Sequence, residues 1–244
     1  MPEVVSFHGT DGSGKSTIAK EFAALHAETD PIILGGSSYK TWLTPEVASL
    51  TLGTNHKIGE KAETDAEKTR LYEDIAIACY GYARILAEHG HKIVIDSDPY
   101  FKRIIWGSLA NPENPDDYVR SFESRVREGL GNFEGPDAIV GVNLGDHAVP
   151  HDEMLKRLLD RGESTYNDPT ELDSLIELDT QVNLVWAQMN LGAIGLSRYA
   201  GFNQRLLGTP IVSIHNPSCE PEQISDQART IAFDIQAKIE QLIA

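Results

Sequence analysis

Residues Gly9-Thr10-Asp11-Gly12-Ser13-Gly14-Lys15-Ser16-Thr17 follow the apolar run Val4, Val5, Phe7 and precede an amphipathic stretch. This spacing is that of a phosphate-binding loop between a strand and a helix. Glycines let backbone N–H groups converge on phosphates, the lysine reaches the β- and γ-phosphates, and the hydroxyl after it ligates Mg²⁺. Lys15 and Ser16 take the last two roles, with Gly9, Asp11, Gly12, Ser13, Gly14 and Thr17 completing the cradle. The helix starting near Lys15 directs its positive dipole end at the same anion. Strand, loop and helix signals all fall where nucleotide binding needs them, and the reading is a nucleotide-binding enzyme.

Two further groups could act on a bound nucleotide. The run Ile-Val-Ile-Asp-Ser-Asp-Pro-Tyr places Asp96 and Asp98 just past a buried strand. If the strand continues, residues i and i+2 point the same way and the carboxylates share one site. Asp96 then suits the Mg²⁺ shell, and either carboxylate suits acceptance of a proton from an attacking hydroxyl. Asp98 before Pro99 also suits a simple turn cap. Arg157 and Arg161 are four apart on one helical face, and Gly162 follows. That pair reads as a lid over residues 157–168, an arginine closing on the charge of the transferring phosphoryl group. Lys102 and Arg103 are the other cations placed to meet an anionic substrate.

The scaffold that must position these groups is legible from alternation. Short apolar runs at 4–7, 31–34, 92–95, 138–144 and 211–214 read as buried parallel strands. Helical segments at 16–27, 65–89, 153–160, 169–189 and 222–243 lie between and after them. The arrangement implies one α/β domain over residues 1–244, a parallel sheet of five strands with helices on both faces and ligands at the carboxyl ends of the strands. The stretch 111–117, Asn-Pro-Glu-Asn-Pro-Asp-Asp, reads as a loop. With 244 residues and 41% apolar composition, the chain can bury one large core. A net charge of −16 argues against a binder of nucleic acid polymer, which needs clustered cations on phosphate. Cys79 and Cys219, the only two cysteines, lie far apart without metal-ligand spacing and read as reduced and structural. No stretch approaches the roughly 20 apolar residues of a membrane span, and the expected compartment is the cytoplasm.

Taken in order, Phe7 to Thr17, the strand ending in Asp96, Pro136-Asp137 opening the fourth strand, and Arg157 with Arg161-Gly162 resemble the thymidylate kinase family. The resemblance implies a P-loop NTPase three-layer fold, MgATP as phosphoryl donor, a lid arginine over the phosphates and, in many members, a homodimer. It implies that Asp11 helps organise the acceptor side and that Arg161 is the transition-state arginine, because no basic residue stands inside the loop ahead of Lys15. Arg103 falls where the family has a basic residue, and Arg70 could meet a base edge. Aromatic candidates for stacking a ring are Tyr39, Tyr72 and Tyr100.

The chain also departs from that family. After the second strand and at the end of the third, thymidylate kinases usually carry Arg-Glu-Pro-Gly-Gly and Asp-Arg-Tyr, whereas here the residues are Ile33-Leu34-Gly35-Gly36-Ser37 and Asp96-Ser97-Asp98. A monophosphate acceptor brings about two negative charges and favours guanidinium forks, so exchanging arginine for serine beside an added aspartate works against it. Residues 186–208 form a glycine-rich elaboration that could shape a pocket or a dimer surface. Three readings follow: transfer from ATP to a nucleoside monophosphate or close analogue; transfer to a neutral hydroxyl with Asp98 or Asp96 as base; and a nucleotide-binding regulator without catalysis. If Arg161 acts on the transition state, Arg161→Ala lowers the single-turnover rate by roughly 10³-fold while ATP affinity changes little. An unchanged rate would remove it from the chemistry.

Overall fold

The computed structural model describes residues 2–10, 12–35, 65–111, 113–131, 135–160, 169–190, 209–217 and 220–243. Asp11, Tyr39, Arg161, Cys219 and the segments 161–168 and 191–208 lie outside the described residues. Five strands form one sheet: β1 (Val4–His8), β2 (Ile32–Gly35), β3 (Ile93–Asp96), β4 (Ala138–Val142) and β5 (Ile211–Ile214), in the order β2-β3-β1-β4-β5. Every neighbouring pair is parallel, with Phe7 opposite Asp96 and His8 opposite Gly141. The expected sheet is therefore present, with strand ends shifted by one or two residues.

Seven helices of eight or more residues accompany it among the described residues: α1 (Lys15–Ala24), α2 (Asp65–Glu88), α3 (Pro99–Ala110), α4 (Pro115–Leu130), α5 (His151–Asp160), α6 (Pro169–Asn190) and α7 (Ile224–Ile243). The period-2 alternation of the strands sorts them into layers. Val5, Phe7, Val94, Val140 and Val142 face α1 and α7, meeting Ile18, Phe22, Ile231 and Ile235. Val4, Ile93, Ile95 and Ile139 face the other way, against Ala76, Cys79 and Tyr80 of α2, Ile104 of α3, Phe122 of α4 and Trp186 of α6. Both faces are covered, as an all-parallel sheet requires.

Three expectations need correction. The loop at 111–117 is short, because Pro115 at the first turn of a helix already lacks the N–H that has no partner there, and α4 starts at that residue. Residues 186–190 belong to α6 rather than to an elaboration; Trp186 is fully buried over Gly141 and donates Nε1–H to Ser213 Oγ at 3.0 Å. Residues 157–160 are the last turn of α5, a packed helix, so the described part of the lid segment is not a separate flap. No helix among the described residues is long and apolar enough to cross a membrane.

Candidate active site

β1 ends at His8 and hands the chain to the loop at the centre of the sheet. Gly14 precedes α1 with φ 81°, the left-handed region glycine enters at no steric cost, and a Cβ there would stand 2.4 Å from Asn216 Nδ2. Lys15 is the first helical residue; its ammonium is buried and donates to the Thr10 carbonyl at 3.1 Å. The next residue is exposed, and Ser16 Oγ donates to Asp96 Oδ1 at 3.0 Å. A hydroxyl and a carboxylate oxygen side by side are hard donors, and Mg²⁺ is commonly bound by one or two such groups plus substrate phosphates and water. The pair fits that ion, which would be held by Ser16 and Asp96. Among the described residues no cluster of three or more His, Cys, Asp or Glu could hold a metal by itself.

The loop is braced from the far strands by residues the sequence did not single out. Asn143, past β4, takes φ 56°, which asparagine tolerates, and accepts the Asn216 N–H at 2.7 Å. Asn216, past β5, donates Nδ2–H to the Ser13 carbonyl at 2.8 Å, and its side-chain oxygen accepts from Gln227 of α7. Arg157 joins this network, donating to the Asn216 carbonyl at 2.9 Å and to Glu153 at 2.5 Å. α5 thus lies over the loop, with Leu158 Cγ 3.3 Å from where a Cβ on Gly12 would stand. Asp179 of α6 accepts hydrogen bonds from Thr10, His151 and Asn183, and burial, the largest influence, raises its pKa.

The extended geometry expected to point the two carboxylates the same way does not continue past Asp96. Ser97 has φ 62°, so the chain leaves the extended conformation after Asp96 and the i, i+2 alternation ends there. Asp96 meets Ser16. Asp98 is 2% exposed and caps α3: its Oδ1 accepts the Phe101 N–H at 3.0 Å, its carbonyl accepts the Lys102 N–H at 3.1 Å, and Pro99 occupies the first turn. Its Oδ2 accepts the Tyr80 hydroxyl, whose pKa burial and the adjacent Asp98 charge push well above the ordinary phenol. His8 Nε2 lies 3.9 Å from the same oxygen and 3.0 Å from Ser6 Oγ. Burial lowers the pKa of His8 to about 4, overriding Asp98, so the imidazole is neutral at pH 7.

Asp98 and His8 line a pocket of about 120 Å³ together with Gly9 and Thr10 of the loop, Ser97 just past β3, Phe101, Lys102 and Ile105 of α3, and Leu178 and Val182 of α6. Its polar end abuts the phosphate-binding loop. The other acceptor-side candidates lie elsewhere. Tyr100 is 2% exposed, donates its hydroxyl to Glu123 and packs on Tyr80 and Phe122, which makes it a core residue and not a pocket wall. Tyr72 is partly exposed and stands over the Arg103 guanidinium. Arg70 is exposed near Arg125 of α4, whose pKa it helps to lower behind the larger effect of burial.

A parallel sheet of order 2-3-1-4-5 with a phosphate-binding loop between its central strand and α1 defines a P-loop α/β fold. No protein-family model matches the chain, and no curated protein matches it. Among solved structures, a shikimate kinase from Acinetobacter baumannii in complex with shikimate aligns over 99% of this chain and 94% of its own, with 11% identity and a TM-score of 0.44. Likeness at this level assigns no substrate to the chain.

The neutral state of His8 has a consequence for stability. Between pH 6.5 and about 4 the unfolded chain holds a proton on this ring that the folded chain excludes, so stability falls as pH drops through that window. The effect amounts to about 3 kcal/mol once both pKa values are passed. His8→Phe should remove that part of the acid loss, seen as a smaller drop in urea-unfolding free energy between pH 7 and pH 4.5 than in the wild type. Parallel losses in both proteins would contradict a neutral buried ring.

Proposed function

We propose that the chain is an ATP-dependent phosphotransferase acting on a small molecule, and that its acceptor group is a hydroxyl. The observation that carries the reading is the buried Asp98 carboxylate in the wall of a pocket whose other walls include Gly9 and Thr10 of the phosphate-binding loop. MgATP, when bound, supplies the activated γ-phosphoryl group. Lys15 and the loop N–H groups hold its phosphates, while Ser16 and Asp96 hold the ion. Asp98 accepts the proton of the attacking hydroxyl as the new O–P bond forms and the bond to the departing ADP oxygen breaks. The Tyr80 O–H and Phe101 N–H fix its two oxygens without neutralising them. Phe101, Ile105, Leu178 and Val182 give the acceptor an apolar wall and exclude water around the reacting atoms. Arg161 is the proposed transition-state cation.

Electrostatics supports a hydroxyl over a phosphate acceptor. His8 adds no positive charge to the pocket, Asp98 adds a negative one, and Lys102 is the one cation among the described lining residues. A nucleoside monophosphate, the acceptor implied by the resemblance to thymidylate kinases, is the second reading. Lys102 in the pocket wall favours it, and an ionised phosphate needs no base.

Asp98→Asn separates the two. It keeps an oxygen for the Phe101 N–H, so the α3 cap survives, but it removes the base. With a nucleoside and a polyol panel, MgATP-dependent phosphorylation should fall by roughly 10²- to 10⁴-fold. A fall of less than about tenfold on a proven hydroxyl acceptor would exclude Asp98 as its base.

A further inference from the structure

His8 closes β1 where the phosphate-binding loop begins, and its ring is 3% exposed in the wall of the Asp98 pocket. Aromatic neighbours hold the ring in place: Phe101 meets it edge-on at 4.2 Å between centroids, and Trp186 lies at 6.0 Å. The other buried polar side chains of this wall are already engaged. Ser97 donates its hydroxyl to Asp96 Oδ1 at 3.5 Å, Thr10 bonds Asp179, and Asp98 accepts from the Tyr80 hydroxyl and the Phe101 N–H. His8 differs. Its Nδ1 is buried without a hydrogen-bond partner among the described residues, and of the buried side-chain atoms in that state it is the one that belongs to the pocket wall.

A neutral imidazole carries one N–H and one lone pair. Nε2 lies 3.0 Å from Ser6 Oγ and 3.9 Å from Asp98 Oδ2, and the adjacent carboxylate charge favours the tautomer with the proton on Nε2. Nδ1 is then an acceptor. Burial keeps the ring neutral at pH 7, so no second proton consumes that lone pair. A buried acceptor without a donor carries a standing cost, and the pocket that the ring lines is where a donor can enter. A hydroxyl brings a proton to Nδ1. A carboxylate or a doubly ionised phosphate brings none and would meet it lone pair against lone pair.

We propose that His8 Nδ1 accepts a hydrogen bond from a second, non-reacting hydroxyl of the acceptor, which makes the substrate a small neutral diol or polyol. The inference rests on the hydroxyl reading of the Asp98 pocket. His8 Nε2 and Asp98 Oδ2 stand 3.9 Å apart in one wall, so the two hydroxyls sit on neighbouring carbons or one carbon further apart. Phe101, Ile105, Leu178 and Val182 cover the carbon chain between and beyond them. His8 thereby selects which hydroxyl faces Asp98 and disfavours molecules lacking the second one, because they leave a buried polar atom unpaired.

The test records histidine ring ¹⁵N resonances of the full-length protein at pH 7 during titration with glycerol, ribitol and uridine. The His8 ring is the one missing from His8→Phe, or from His8→Asn should the phenylalanine variant not fold. Expected are a protonated Nε2 beside a bare Nδ1, and a saturable shift of Nδ1 with at least one of these polyols. A protonated Nδ1, or no saturable shift with any of them, overturns the proposal. Kinetics supplies the second arm. For a polyol that is phosphorylated, deleting the second hydroxyl should lower kcat/KM roughly 10- to 100-fold in the wild type. In His8→Phe the same deletion should cost less than about threefold, and His8→Asn, whose amide oxygen can stand near the place of Nδ1, should restore part of the discrimination. Equal discrimination in wild type and His8→Phe overturns the role of His8 while the hydroxyl reading stands. An Nδ1 shift with polyols that are never phosphorylated retains His8 as a polyol subsite and sinks the hydroxyl-transfer reading instead.

Discussion

The parallel alignment of β1 between β3 and β4 is the constraint on which the site depends. Because all three strands run the same way, their carboxyl ends meet at one edge, and the chain must leave the sheet there three times. The first exit is the phosphate-binding loop, the second carries Asp96, Ser97 and Asp98, and the third carries Asn143. Each exit uses a left-handed residue, Gly14, Ser97 or Asn143. These turns direct side chains and N–H groups toward a common volume instead of continuing the pleat.

A loop that presents its N–H groups to a ligand cannot spend them on itself, so its shape has to be imposed from outside. Asn216 does so from β5, and Asp179 from α6 through Thr10. Arg157 binds the carbonyl of the same Asn216, so α5, β5 and the loop form one braced unit. The ends of the five strands and α1, α5, α6 and α7 therefore act together. The sheet is the rigid base, and the helices hold the loop against it.

Much of this was legible in the sequence. Alternating apolar runs located all five strands, and the loop pattern located Lys15 and Ser16, whose partner Asp96 was expected at a strand end. The rest was hidden for identifiable reasons. Among its described side chains, α4 buries only Val119, Phe122 and Val126 of the apolar ones, set among charged neighbours and entered through a Pro-rich turn. Asp96 and Asp98 diverge because of one left-handed serine, which no apolar periodicity records. His8 gave a signal that could have been used, a histidine immediately before the loop. Asn143, Asn216 and Asp179 act through tertiary hydrogen bonds that carry no sequence pattern. Tyr100 was a candidate for stacking an acceptor ring because it follows Asp98 by two residues, whereas its ring lies in the core and its hydroxyl is satisfied there by Glu123.

The net charge of −16 sharpens the electrostatic question. Such a chain binds a polyanionic nucleotide only where cations and N–H donors are concentrated, as Lys15 and the N–H groups of the loop are. Calorimetric titration of MgATP into wild-type and Lys15→Ala proteins tests the claim most directly. Binding should need Mg²⁺ and be weakened at least about tenfold by the substitution, through the loss of charge-assisted contacts to the phosphates. Equal affinity in both proteins, or binding indifferent to Mg²⁺, would contradict it.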